Sequence, residues 1–179
     1  MIKVKDLVLQ FGSQTEPLSF EVKPGTTLWL RGENGAGKST LLLTIAGIVK
    51  AKSGLVESSH IAFSYAPQKP TFTFGLEAKR VLELAGVDSS SSLIAKLGIE
   101  SFLNTLVTEL SGGEAQRVQI AIALGQRSNC VILDEPFASQ DLESIGRIKK
   151  LIEEAKVEGK SFIVASHVAL DANQVIDLS

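Results

Sequence analysis

The chain is poor in the residues that usually announce a special environment. Among 179 residues there is one cysteine, Cys130, so no internal disulfide can form, which fits a reducing compartment such as the cytoplasm. Cys130 itself reads as a small apolar residue opening a strand. Two histidines and that one cysteine, far apart, give no zinc-type cluster. Aromatics make up only 6%, with one Trp and one Tyr. Neither charge sign dominates: the net charge is −2, so no overall attraction to nucleic acid or anionic lipid is implied, and no nucleic-acid partner is expected. No apolar run approaches the roughly 20 residues of a membrane-spanning helix, and the start, Met1-Ile-Lys-Val-Lys-Asp6, alternates like a strand rather than carrying a signal-peptide core. What remains, 44% hydrophobic and 21% charged, is ordinary globular composition.

Against that plain background one segment stands out. Gly32-Glu-Asn-Gly-Ala-Gly-Lys-Ser39 fits G-x-x-x-x-G-K-S, lying between a strand-like run, Thr27–Arg31, and a helical run expected over 38–48. Glycines at 32, 35 and 37 let the backbone curl with its N–H groups inward as an anion nest. The helix that follows adds the positive end of its dipole. Lys38 supplies a charge for β- and γ-phosphates, and the Ser39 hydroxyl a ligand for Mg²⁺. Asn34, Gly35, Ala36, Gly37, Lys38, Ser39 and Thr40 are therefore the expected contacts to a nucleoside triphosphate. A second constellation is Val131-Ile-Leu-Asp-Glu-Pro136, an apolar strand delivering two adjacent carboxylates at its C-terminal end, where ligands bind in a parallel sheet. Asp134 is placed for the metal shell and Glu135 to polarise an attacking water. No N/T-K-x-D base-reading motif is present, which argues against a GTPase.

The organisation is α/β. Strands are expected at 2–9, 18–22, 27–31, 54–57, 60–65, 131–133, 161–166 and 175–178, with Pro17 and Pro24-Gly25 as punctuation among the first three. Helices are expected over 76–86, 91–97, 99–106, 112–125 and 142–158, the last with a solvated Lys/Arg/Glu face. Short strands and turns before the phosphate loop suggest an antiparallel β element, and the later alternation a mostly parallel sheet. The serine run after Asp88 reads as a loop or helix cap.

Leu110-Ser-Gly-Gly-Glu-Ala-Gln-Arg117 resembles the signature motif of the ABC (ATP-binding cassette) ATPases, and the likeness runs from Phe11 to His167 in that family's motif order. The resemblance implies a P-loop NTPase core with a mostly parallel sheet, an N-terminal antiparallel β subdomain and a small α-helical subdomain. It implies one nucleotide-binding domain over 1–179, with about 1–67 and 128–179 as core and β subdomain and about 68–127 as helical subdomain. Only 43 positions separate Gln68 from Ser111, so that subdomain is expected to be small. By the same resemblance Gln68 reaches the Mg²⁺, and His167 hydrogen-bonds the γ-phosphate. Phe11 stacks on adenine, and Ser111 with Gly112 and Gly113 caps ATP bound to a second cassette. Asp141 belongs to the loop between cassettes, although Gln140 stands where that loop usually has leucine. The implied activity is Mg-dependent ATP hydrolysis that closes and opens a pair of like or related cassettes. That motion would power the transmembrane permease subunits of a transporter from the cytoplasmic face of the membrane. The alternative is a soluble ABC ATPase without a channel, for example of the iron–sulfur assembly type.

Overall fold

Two strands are buried along their whole length, β6 (Cys130–Asp134) and β7 (Ser161–Ala165), which is how a central strand covered on both faces must read. Their side chains divide by the two-residue period. Cys130, Ile132, Ile163 and Ala165 enter one apolar cluster, and Val131, Leu133, Phe162 and Val164 enter the other. Around this pair a computed structural model, describing residues 1–58, 60–72 and 75–179, builds a five-stranded parallel sheet. Its order is β5 (Phe63–Ala66), β6, β7, β3 (Thr27–Arg31) and β8 (Gln174–Asp177), the last an edge strand as expected. A separate antiparallel sheet has β1 (Ile2–Val8) between β2 (Leu18–Val22) and β4 (Ser53–Glu57). The β1 ladder shifts register around Asp6, which takes a left-handed φ of 46°. Gly54 lies against that bulge so closely that a Cβ would sit 2.3 Å from the Asp6 carbonyl oxygen, so only glycine fits.

The cluster on one side of the parallel sheet joins the β1–β2–β4 layer and helix α1 (Lys38–Ile45). The opposite cluster collects α2 (Ala78–Leu84), α3 (Ser92–Lys96), α4 (Gly112–Gly125) and α5 (Leu142–Val157). The mixed α/β class is as the sequence suggested. No helix among the described residues is long and apolar enough to cross a membrane.

Three expected elements differ by three residues or more at one end. Helix α1 ends at Ile45 rather than 48, because Gly47 (φ 75°) turns the chain left-handed and Ile48 N–H returns to Leu43 O at 2.9 Å. The strand expected over 60–65 starts at Phe63, since His60 has a φ of 64°, outside any strand. The helix expected over 99–106 shrinks to a 3₁₀ turn, Glu100–Phe102. Backbone groups just beyond it are spent elsewhere: Thr105 O and Leu103 O accept from the first amides of α2, and Val107 N–H donates to Leu76 O. Those bonds satisfy the orphan donors at the start of α2 instead of extending a helix.

Phe162 is fully buried in the cluster under α4 and α5. Phe162→Ala is expected to cost about 3–5 kcal/mol of unfolding free energy. Urea titration would read this as a lower midpoint with little change of slope.

Candidate functional site

Parallel pairing brings the C-terminal ends of β3, β5, β6 and β7 to one edge. Leu30 pairs with Ala165, and Ala165 with Asp134, so the chain leaves all three strands at one level. After β3 the backbone enters the 32–37 loop, with left-handed φ at Gly32, Gly35 and Gly37. Gly37 precedes α1, and no side chain caps the first-turn amides of that helix. The Phe11–Gly12 turn presses on this loop. A Cβ on Gly12 would stand 2.8 Å from Gly37 Cα, and one on Gly37 would meet Leu9 Cδ1 at 2.9 Å.

A cleft of about 320 Å³ opens here, lined by Gly12, Glu33, Asn34, Gly35, Gly37, Lys38, Ser39, Thr40, Gln68, Asp134 and Glu135. Lys38 is buried and folded over the loop, donating to Gly32 O (2.8 Å) and Glu33 O (3.1 Å). Its ammonium stands 3.6 Å from Glu135 Oε1, a buried pair whose attraction is little screened. His167 Nε2 meets Lys38 Nζ at 3.3 Å, Asn34 Oδ1 at 3.1 Å and Glu135 Oε1 at 3.4 Å. That nitrogen faces one donor and two acceptors, so its tautomer decides which neighbour it satisfies. Two bonds fix the turn that carries it: Trp29 Nε1–H donates to Ser166 O, and Val168 N–H to Ser166 Oγ. Glu135 sits at φ 49°, a left-handed strain that bulky side chains avoid outside functional turns.

Asp134 is buried, and its Oδ2 accepts a hydrogen bond from the Tyr65 hydroxyl at 3.1 Å while its Oδ1 has no partner. Burial, reinforced by the Asp134 charge, pushes the Tyr65 phenol well above its ordinary value, so it stays a donor. Cys130 begins β6 as a buried free thiol, pushed up to about 12 by burial, and is inert packing.

Most of the residues expected around a triphosphate therefore meet in one cleft, with His167 at its rim. Ala36 is buried in the core beneath the loop. Phe11 is 64% exposed, so it is not a core residue. Ser111, Gly112, Gly113 and Asp141 do not line this cleft. Ser111 caps α4 in a reciprocal box with Glu114: its N–H and hydroxyl donate to Glu114 Oε2, and its Oγ accepts from Glu114 N–H. Asp141, expected among the ATP contacts, is the N-cap of α5. The Ser144 backbone amide donates to it at 2.7 Å and holds its carboxyl below the ordinary range. It lines a second cleft with Arg117 and Arg147. Sequence reading missed Gly12 and Glu33 in the cleft wall and Tyr65 behind Asp134. Glu33 fills an unspecified position of the phosphate-loop motif, and Gly12 and Tyr65 belong to no motif with its own chemistry.

Comparison with known proteins agrees with this geometry. A family model described as ABC transporter matches residues 15–138. The chain belongs to the ABC transporter family. It is 34% identical over 178 residues to an uncharacterized ABC transporter ATP-binding protein of Methanocaldococcus jannaschii, covering 93% of this chain and 68% of that protein. A zinc import ATP-binding protein of Halorhodospira halophila is 31% identical, covering 100% of this chain and 71% of its own length. Among solved structures, one described as the ATP binding subunit of an ABC transporter superposes with a TM-score of 0.81 at 26% identity, covering 94% of this chain and 80% of the other.

The Ser111–Glu114 box carries a pH signature. The Ser111 hydroxyl and, next, its N–H hold the Glu114 carboxyl below its ordinary value. A depressed folded value means the stabilisation is complete above the ordinary glutamate range and fades as pH falls through the folded value. Glu114→Gln should cost at most about 0.5–1 kcal/mol near pH 7, screening included. The gap from the parent should narrow near pH 3, as measured by paired urea titrations.

Proposed function

We propose that the chain binds Mg-ATP in the cleft above α1 and hydrolyses it as the ATP-driven subunit of an ABC transporter. The observation that carries this reading is the convergence of Lys38, Glu135 and His167 within 3.6 Å of one another at the mouth of the phosphate loop. Three roles that phosphoryl transfer needs can be filled there. The loop amides and Lys38 hold the β- and γ-phosphates, His167 meets the outermost oxygens, and Glu135 takes a proton from the attacking water. Glu135 suits the last role because its carboxylate lines the cleft, with Lys38 and His167 facing Oε1 at 3.6 and 3.4 Å and no hydrogen bond made to it. Phe11, exposed beside the loop, offers its ring to adenine.

The residues present fit a magnesium ion. Asp134 Oδ1 is a buried carboxylate oxygen with no partner, in a cleft shared with the Ser39 hydroxyl and the Gln68 amide. Hard oxygen donors of that kind, few in number and completed by phosphate oxygens and water, suit Mg²⁺ better than a protein-only cage. Among the described residues no group of three or more His, Cys, Asp or Glu forms such a cage. Bound there, the ion would neutralise charge developing on the phosphates.

In this reading 68–127 is the helical subdomain, and 1–67 with 128–179 the core and β subdomain of one nucleotide-binding domain. The working unit pairs two cassettes, a reading supported by Ser111, Gly112 and Gly113, which lie outside the cleft of their own chain and are left for a partner's. Asp141, the N-cap of α5, would belong to the loop between the cassettes and contact ATP from there. Permease subunits spanning the membrane receive the movement, which places the chain on the membrane's cytoplasmic face. Relatives named for zinc import make a transporter role the natural setting.

Glu135→Gln keeps shape but cannot accept a proton, so hydrolysis should fall about 10²–10⁴-fold while ATP binding persists. Phosphate-release assays beside equilibrium nucleotide binding check this. A Glu135→Gln protein hydrolysing at the parental rate would move the base elsewhere.

The shared site is tested by mixing. Lys38→Ala and Ser111→Arg proteins, each inactive, should regain part of the activity together, because one of the two composite sites is then intact. Parental specific activity that stays flat on dilution into the low nanomolar range would rule the shared site out.

A further inference from the structure

Asp134 is a carboxylate buried at the end of β6, and burial of a charge demands partners. Among the described residues its side chain has one hydrogen bond, accepted by Oδ2 from the Tyr65 hydroxyl at 3.1 Å. The opposite oxygen, Oδ1, is equally buried and has none. The two residues are neighbours by register rather than by sequence: β5 pairs parallel with β6, Tyr65 lies across from Ile132, and its long ring reaches two residues further to Asp134. The ring is half-buried against the core cluster beneath α1, so the hydroxyl is presented from a fixed base. The end of β5 is held again just beyond, where the buried Gln116 of α4 donates to Pro67 O at 3.2 Å.

We infer that Tyr65 is a positioning residue for the divalent cation, holding Asp134 by Oδ2 so that Oδ1 is left to the cleft shared with Ser39 and Gln68. A carboxylate anchored through one oxygen loses the freedom to swing away from a cation. The bond asks for a donor at one point in space, which Phe at the same position could not provide although its ring would pack identically. The inference rests on the metal-binding reading of the cleft above.

The test measures metal rather than turnover. Manganese binding to the full chain, saturated with a non-hydrolysable ATP analogue, is followed by electron paramagnetic resonance for the parent, Tyr65→Phe, Asp134→Asn and the double variant. Outer partners of metal ligands typically contribute 10–100-fold in affinity, so Tyr65→Phe should weaken manganese binding about 10-fold or more. Its affinity for the analogue without metal should stay within about twofold of the parent. In the Asp134→Asn background the same change should add nothing, because the anchored carboxylate is gone. Parity of Tyr65→Phe with the parent overturns the inference alone. So does a weakening that multiplies in the double variant, or one matched by an equal loss of metal-free binding, since either marks general disruption. A parent that binds no manganese overturns the metal reading of the cleft and this inference with it.

Discussion

Parallel pairing of β6 with its neighbours is the constraint on which everything else in this molecule hangs. A parallel sheet sends every strand end to the same edge, and register decides how closely the ends align. Here Leu30, Ala165 and Asp134 fall in one row. The phosphate loop, the Ser166–His167 turn and the Asp134–Glu135 pair therefore emerge side by side, although 135 residues separate Gly32 from His167. A slip of one residue in β6 would turn Val131 and Leu133 to the wrong cluster and reverse the two acids. The apolar split of β6 and β7 between two cores makes that slip costly. Packing far from the cleft thus sets the geometry of its chemistry.

The cleft concentrates cost in a few places. Lys38 and Glu135 are both buried charges, tolerable because they face each other and because Lys38 is bonded to two loop carbonyls. Glu135 adds a left-handed backbone, and Asp134 a buried oxygen without a partner. Features like these are destabilising by themselves and persist where surrounding structure over-determines them. The surroundings do so here: Glu135 N–H bonds to Ala165 O, and Ala138 N–H returns to Glu135 O. The unmet oxygens of Asp134 and Glu135 both belong to residues that line the one cleft.

Much of this was legible in the chain because the signals were local. Thr27–Arg31, Leu18–Val22 and Gly112–Gly125 have the limits the sequence suggested, each being a short buried run or a helix with a strong cap. The phosphate loop was legible for the same reason, since seven consecutive residues carry its chemistry. What escaped was non-local. Residues 99–106 carry a helical pattern, yet their carbonyls are claimed by the first turn of α2, a demand invisible within the segment. That Asp141 caps its own helix was not legible either, because capping and facing nucleotide ask for the same residue at the same place. Nor could it pair Tyr65 with Asp134 across 69 positions, since that contact exists only through β5–β6 register.

Helix α4 shows how the cleft and the signature segment are physically joined. Its first turn is tied to the loop after β6, where the Gln140 side-chain amide donates to Gly113 O at 2.9 Å. Close packing reinforces the tie: a Cβ on Gly113 would fall 2.5 Å from Ser139 O, so nothing larger than glycine fits without moving backbone. One turn further on, Gln116 holds Pro67 O beside Gln68. Gln140, standing where the family usually has leucine, thus makes a directional bond between two motifs. A loop that moved with Glu135 would pull on Gly113 directly, and α4 would carry the pull to the segment bearing Gln68. Each hydrogen bond is worth on the order of 1 kcal/mol, so the close packing of Gly113 on Ser139 carries the alignment with them.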